Sequence, residues 1–384
     1  MSNMTSRHYR QLGRTGLEVN EISLGTEYLI YEAPENAIAV LREAVARGVN
    51  YFDVFWPQPG FRDMLGTAFK GIRDTVYLTA HLGAVMDGDQ YGKSRDPQVA
   101  EKFFFDYLRR VGTDYVDVLY LHNCDTQKDL DTIMKPGGLL EQARRYQGEG
   151  KARFIGFSGH NAEIARKVVE SGAIDTLMFP VNLASFAAPG QRELYSACAT
   201  RGVGLVVMKP FGGGSLLREK STITVEDFQS GRTQLAGAPM HFEQPAIKIT
   251  ATHCLAYALD QVGVSTIVPG CKNLDELAQA QNFWNTFAEE RDYTAILPAF
   301  QQFANGECVY CNHCLPCPSH IDIGQTMSLF NQAQQNLTDE LRAAYAALAV
   351  KASECIQCRD CEERCPFGVK VATHLEEAVA LFGV

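Results

Sequence analysis

The 384-residue chain has no cationic excess: 45 Asp and Glu stand against 35 Lys and Arg, for a net charge of −10. That is the wrong sign for a phosphate backbone or an anionic membrane surface, both of which attract basic proteins. There is no long uninterrupted apolar run, so nothing reads as a bilayer span. The opening residues, MSNMTSRHYRQLGRTG, lack the apolar core of a secretory signal. No Gly-x-Gly-x-x-Gly follows the first β-rich run, which argues against an open, doubly wound nucleotide-binding sheet. No His-x-x-x-His pair suggests a metal site on a helix face. These absences predict a cytoplasmic protein with no nucleic-acid or membrane partner, in a compartment where thiols stay reduced.

What is abundant is cysteine, and it is crowded at one end. Eight of the twelve cysteines fall after residue 307, as Cys308-x-x-Cys311-x-x-Cys314-x-x-Cys317-Pro318 and Cys355-x-x-Cys358-x-x-Cys361-x-x-x-Cys365-Pro366. Four thiolates converging on a point are what an iron–sulfur cubane needs, and the second run has the bacterial ferredoxin spacing. In such runs three close cysteines wrap one cluster, and the fourth, before proline, serves the other. The expected ligand sets are therefore Cys308, Cys311, Cys314 and Cys365 for one [4Fe–4S] cluster, and Cys355, Cys358, Cys361 and Cys317 for the second. A zinc knot would need neither the third close cysteine nor the Cys-Pro. Disulfides would suit a small secreted scaffold, not a chain with its cysteines at one end. Cys124, Cys198, Cys254 and Cys271 have no ligand spacing and read as core residues.

Between about residues 22 and 290, β-rich runs alternate with helical stretches. The runs are ISLGT to Thr26, VNYFDVF, Thr75–His81, Tyr115–His122, Arg153–His160, Thr176–Asn182, Gly204–Pro210 and Ser265–Gly270. Eight β-α repeats over this length predict a closed parallel barrel of the TIM type. The expected division is a (β/α)8 barrel over residues 1–292 and an α-helical ferredoxin-like domain over 293–384. The polar stretch from Ser215 to Gln244 is longer than an ordinary βα loop and reads as a lid or binding loop. The segment Asp322–Ser353 between the cysteine runs is amphipathic and reads as helix.

Functional groups of such barrels collect at the strand C-termini. Here those ends carry Glu27, Asp53, His81, His122, His160, Asn182 and Lys209, a polar ring where small caps would suffice. A lone histidine at a strand end is ordinary scaffolding. Three with two carboxylates at one mouth point to an active site. Phe55, Trp56 and Phe61 are expected to line it.

The motifs RQLGRTGLEVNEISLGT, GVNYFDV, LRRVGTDYVDVLYLH, KARFIGFSGHN and TIVPGCKN resemble the successive signatures of the aldo-keto reductase superfamily. The first cysteine run resembles that of the branch with a C-terminal ferredoxin-type domain. The resemblance implies a catalytic Asp, Tyr, Lys and His, in which Lys and Asp lower the Tyr pKa so that it protonates a carbonyl as hydride arrives from a nicotinamide. Asp53 and His122 match two of the four. The Tyr expected about five residues after Asp53 is missing from Val54–Gly60, and His81 stands where the Lys should. Tyr28 is a candidate for the lost phenol. On the cofactor side, the resemblance implies nicotinamide contacts at Ser158 and Asn182, where Met178 replaces an expected Gln. Lys209, Phe211, Gly212 and Gly213 fall on the pyrophosphate side, and Gly270, Lys272 and Asn273 on the adenosine-phosphate side.

Three readings follow. One is an iron–sulfur oxidoreductase of a small molecule, with His122, His81 or His160 in acid–base roles beside Asp53 and electrons passing through the clusters. NADP(H), NAD(H) or a flavin is a compatible cofactor, and a ferredoxin or flavoprotein a compatible redox partner. The second is a lyase, isomerase or metal-dependent enzyme on the same barrel. The third is an electron carrier with an inactive barrel.

Overall fold

The computed structural model describes residues 8–217, 222–223, 247–300, 308, 310, 312, 314–365 and 368–383. Cys311, and nearly all of the long polar stretch after Ser215, lie outside the described residues. Eight parallel strands form one sheet in sequential order: β1 (Leu24–Gly25), β2 (Tyr51–Asp53), β3 (Tyr77–Leu82), β4 (Val116–Leu121), β5 (Ala152–Ser158), β6 (Thr176–Pro180), β7 (Gly204–Met208) and β8 (Val264–Ile267). Parallel bridges Ile22↔Ile267 and Gly25↔Gly270 bring the first strand beside the last and close the ring. Gly25 permits the second bridge, because a Cβ there would lie 2.9 Å from the Val268 carbonyl oxygen.

Helices α1 (Pro34–Ala46), α2 (Pro59–Phe69), α3 (Pro97–Val111), α4 (Leu139–Gly148), α5 (Ala162–Ser171), α6 (Gln191–Arg201), α7 (Ala251–Leu259) and α8 (Leu274–Gln281) follow the strands in turn. Their starts are written locally. Pro opens α1, α2 and α3, and the side chains of Asp96, Asn161, Thr250 and Asn273 cap α3, α5, α7 and α8. The large core lies between strands and helices. A second cluster of Leu12, Leu17, Val19, Tyr51, Tyr120, Met178 and Val206 fills the barrel, and the antiparallel hairpin Tyr9–Gln11/Glu18–Asn20 supplies its floor.

The C-terminal region is helical: α9 (Ile323–Gln335), α10 (Asp339–Ala346) and α11 (Val371–Phe382) enclose a separate core around Met327, Phe330, Tyr345 and Leu375. The single helix expected over Asp322–Ser353 is two helices. The first ends at Gln335, and Thr338 starts the second by accepting from the Leu341 N–H; a Thr hydroxyl competes well for a first-turn amide. An element absent from the sequence reading is the hairpin Ala84–Asp87/Gln90–Lys93 between β3 and α3, turning at Gly88 with φ 63°.

Candidate active site

The barrel mouth opens into a cavity of about 650 Å³ shared by both regions of the chain. Strands β2, β3 and β4 present Asp53, His81 and His122 side by side. His81 Nε2 lies 2.9 Å from Asp53 Oδ1, and His81 Nδ1 lies 2.9 Å from His122 Nδ1. Thr79 donates its hydroxyl to the same Asp53 oxygen at 2.9 Å. The far nitrogen of His122, Nε2, is hydrogen-bonded to the hydroxyl of Tyr91. Tyr91 comes from the hairpin, is buried, and packs edge-on against Phe55 and Trp56. The result is a continuous chain Asp53–His81–His122–Tyr91.

The chain has one consistent polarity when the imidazoles are neutral. Asp53 as a carboxylate only accepts, so His81 carries its proton on Nε2 and accepts at Nδ1. His122 must then donate from Nδ1 and accept at Nε2, so the Tyr91 O–H donates to it. Burial, followed by the neighbouring His81, Arg95, Lys93 and His160, holds the His122 imidazole well below its ordinary pKa. Arg95 pins the backbone here by donating to the carbonyls of His122 and Asn123 while paired with Asp129.

His160 belongs to a second chain. Asp125 accepts from the His160 backbone N–H, from the Asn161 N–H and from His160 Nδ1 at 3.2 Å. Lys209 Nζ donates to His160 Nε2 at 3.1 Å. Burial, then the Lys209 charge, lowers the His160 pKa. Burial would raise the Asp125 carboxyl, but His160 and the two backbone N–H groups together hold it below the usual carboxylate range. Glu27 faces this side of the cavity. Burial raises its pKa to about 7, against the pull of Lys209 and with a push from Asp53. Among the described residues, no group of three or more His, Cys, Asp or Glu is arranged to hold one metal ion; in the mouth these side chains bond to one another instead.

The other expected residues are placed as follows. Ser158, Lys209, Phe211, Gly213, Gly270 and Lys272 line the cavity, as does Tyr28. Ser158 Oγ accepts from the Asn123 N–H at 2.9 Å. Asn182 is buried and its amide is spent locally, accepting from the Ser185 N–H and donating to the Lys209 carbonyl. Gly212 is buried in a turn in which its N–H donates to the Lys209 carbonyl. Asn273 is exposed and caps α8. Met178 faces the cavity from the apolar barrel interior. Tyr28 sits against Gly270, where a Cβ would come within 2.3 Å of its ring, and beneath Lys272 Nζ at 5.6 Å from the ring centroid. Phe55 lines the cavity; Trp56 and Phe61 pack into the outer core. Cys124, Cys198, Cys254 and Cys271 are buried.

Residues 21–297 match the aldo/keto reductase family, and residues 307–370 match the 4Fe-4S dicluster domain. The chain belongs to the aldo/keto reductase family. Its curated relatives include L-galactose dehydrogenase of Arabidopsis thaliana, 25% identical over 72% of this chain and 88% of that protein. L-glyceraldehyde 3-phosphate reductase of Escherichia coli is 28% identical over 42% of this chain and 48% of that protein. The solved aldo-keto reductase AKR11C1 of Bacillus halodurans shares the fold with a TM-score of 0.60 and 22% identity, over 76% of this chain and 96% of that one. This aldo/keto reductase is therefore an oxidoreductase barrel followed by a dicluster domain.

The two cysteine loops share left-handed backbone at matching positions. Tyr310 and Asn312 follow Cys308 by two and four residues, Gln357 and Arg359 follow Cys355 by the same offsets, and all four are non-glycine residues with φ between 53° and 63°. Alternating right- and left-handed residues turn backbone N–H groups inward, making concavities suited to anionic groups such as iron–sulfur clusters. Burial, with the Glu362 carboxylate and the Cys355 and Cys358 thiols, pushes the Cys361 thiol up to about 11, so these three sulfurs sense one another. The cysteine region meets the hairpin that carries Tyr91. The adjacent Gln90 accepts from the Cys317 N–H at 3.0 Å and donates to the Cys317 carbonyl at 3.1 Å.

Tyr91 lies in the mouth against His122 and is absent from the residues expected there from the sequence. A signal existed: Asp87-Gly88 between short β-prone runs is a hairpin mark. Nothing in the sequence says that this hairpin folds over the mouth with its tyrosine inward.

Proposed function

We propose that this chain interconverts an alcohol and a carbonyl on a small polar substrate, with Tyr91 in place of the phenol missing after Asp53. The observation that carries this reading is the chain Asp53–His81–His122–Tyr91. In the polarity derived above, the Tyr91 oxygen has lone pairs facing the cavity while its proton points to His122. A substrate hydroxyl can then donate its proton to Tyr91 as Tyr91 hands its own to His122 Nε2. His122 passes its Nδ1 proton to His81, and the positive charge comes to rest on His81, against Asp53. His122 thus relays the proton without storing it, which fits its depressed basicity. Reduction runs the same steps backward, starting from protonated His81. The names of the two relatives, a sugar dehydrogenase and a sugar-phosphate reductase, support a reaction at an oxygen-bearing carbon.

The cluster ligands we assign are Cys308, Cys311, Cys314 and Cys365, and Cys355, Cys358, Cys361 and Cys317. Bound clusters would supply one-electron exchange with an outside carrier, and a nicotinamide or flavin two-electron exchange with the substrate. The residues fit the clusters better than a nicotinamide held in the family's manner, because Asn182 is internally satisfied and Met178 offers no hydrogen bond. The test is anaerobic turnover of a panel of alcohols and carbonyls by cluster-loaded protein, with NAD(P)H or an artificial one-electron carrier. Tyr91→Phe should lower kcat by about 10²–10⁴-fold. Undiminished kcat in that variant would remove the relay from the reaction. Bleaching of the cluster absorbance on adding NADPH would show that a nicotinamide reaches the protein.

Glu27 favours a second reading. A carboxyl with a pKa of about 7 beside Lys209 can take a proton from a carbon next to a carbonyl, which is isomerase or lyase chemistry. Exchange of substrate C–H for deuterium in D₂O without any redox partner would support it, and Glu27→Gln should abolish that exchange.

A further inference from the structure

Two amide side chains are buried at the cavity with an oxygen left unpaired. Asn123, just after His122, is 4% exposed, and Asn312, beside Cys311 in the first cysteine loop, is 6% exposed; Oδ1 of each has no hydrogen-bond partner. Both residues line the cavity, one from the barrel and one from the cysteine region. An unpaired buried acceptor costs about 1–3 kcal/mol. A cluster in the Cys308 loop would not relieve it, since cluster sulfurs accept hydrogen bonds and so does an amide oxygen. What is missing is a donor. The surroundings also make room for one amide in particular: a Cβ on Gly324, in the first turn of α9, would stand 2.2 Å from Asn312 Oδ1. Glycine is a poor helix former, at about 1 kcal/mol relative to alanine, so its presence there keeps the Asn312 amide in position.

We propose that the cysteine region is itself part of the substrate site, and that Asn312 and Asn123 accept hydrogen bonds from O–H groups of a polyhydroxylated substrate spanning the seam. The Glu32 carboxylate on the same cavity adds acceptor capacity and no donor. A ligand with several hydroxyls satisfies all of these; a simple aldehyde, ketone or aromatic carbonyl leaves both amide oxygens unpaired. This rests on the cavity being the active site, but not on the proton relay. Asn312 is then a specificity residue supplied by the electron-transfer region, which makes substrate recognition depend on that region being docked.

The experiment is calorimetric binding to the cluster-loaded, full-length protein carrying Tyr91→Phe, which blocks turnover if the relay reading holds. The probes are hexoses, hexitols and inositols, each beside deoxygenated counterparts. At least one polyhydroxylated probe should bind more tightly than its deoxy counterpart. Asn312→Ala and Asn123→Ala should each weaken that probe about 3–10-fold, the worth of one neutral hydrogen bond, and shrink its advantage over the deoxy form. Gly324→Ala should do the same by displacing the Asn312 amide, and it does so from α9, away from the cysteine loop. Iron content and the reduced-cluster EPR signal identify any variant that has lost a cluster, and Gly324→Ala and Asn123→Ala then decide. The proposal is overturned if no polyhydroxylated probe outbinds its deoxy counterpart, or if all three variants bind it as the parent does. Full turnover by Tyr91→Phe would instead overturn the relay and leave the binding result standing.

Discussion

At the residue scale, the chemistry of the mouth follows from which groups can only accept. Asp53 orients His81, His81 orients His122, and His122 orients the Tyr91 hydroxyl, so one carboxylate sets three proton positions. Asp53→Asn should therefore disturb the whole chain: an amide presents both a donor and an acceptor, and kcat should fall as it does for Tyr91→Phe. Imidazole ¹⁵N chemical shifts would report the changed tautomers directly. Burial holds the His122 imidazole well below its ordinary pKa, so protonation of His122 should slow oxidation only at pH below the usual histidine range, which a pH–rate profile checks. Glu27 gives a separate signature in stability. Its folded-state pKa, about 7, lies above the ordinary 4.5 of a free glutamate, so folding takes up a proton between those limits and the carboxyl destabilises the fold above them. Glu27→Gln should raise Tm at pH 8 relative to the parent. That advantage should shrink as pH falls below 7 and vanish below 4.5.

At the element scale, the hairpin Ala84–Asp87/Gln90–Lys93 joins the two halves of the chain. Tyr91 points to His122, and its neighbour Gln90 pairs with both backbone groups of Cys317. Gln90→Leu removes three hydrogen bonds at the seam, two to Cys317 and one to His320 Nδ1, an effect on the order of 1–3 kcal/mol. It should show as faster proteolysis between the barrel and the cysteine region; unchanged cleavage would mean that other contacts hold the seam. The barrel strands were legible in the sequence because buried parallel strands are apolar runs bounded by turns, and each expected strand lies within a few residues of the observed one. The hairpin was not, since its strands are four residues each and read as loop. Nor was the break between α9 and α10, where amphipathic periodicity continues across Asn336–Thr338 and only the Thr338 cap marks the restart.

At the scale of the whole molecule, the cavity is a joint property. Its lining includes Tyr28, His122 and Lys209 from the barrel, and Tyr310, Asn312 and Gln325 from the cysteine region. Removal of the clusters by anaerobic chelation should therefore weaken ligand binding at the barrel mouth as well as abolish electron transfer, because Asn312 lies between two of the cysteines we assign to the first cluster. Calorimetry before and after chelation checks this; equal affinity would confine the clusters to electron transfer. In the second loop Cys358 is exposed and Ile356 is 66% exposed. No helix among the described residues is long and apolar enough to cross a membrane.

The sequence by itself determined the barrel, the family and the dicluster spacing, because each is a local pattern repeated along the chain: apolar runs at β-α intervals, motifs in order, cysteines three apart. It also located Asp53, His81, His122, His160 and Lys209, since strand ends of a parallel barrel converge whatever the loops do. Tertiary structure alone decided what these residues touch. Whether His160 joins Asp53 or Asp125, whether Tyr28 or Tyr91 reaches His122, and whether Asn312 faces solvent or the cavity depend on how a hairpin and a second region fold over the mouth. Those contacts join residues up to hundreds of positions apart, and no local periodicity records them.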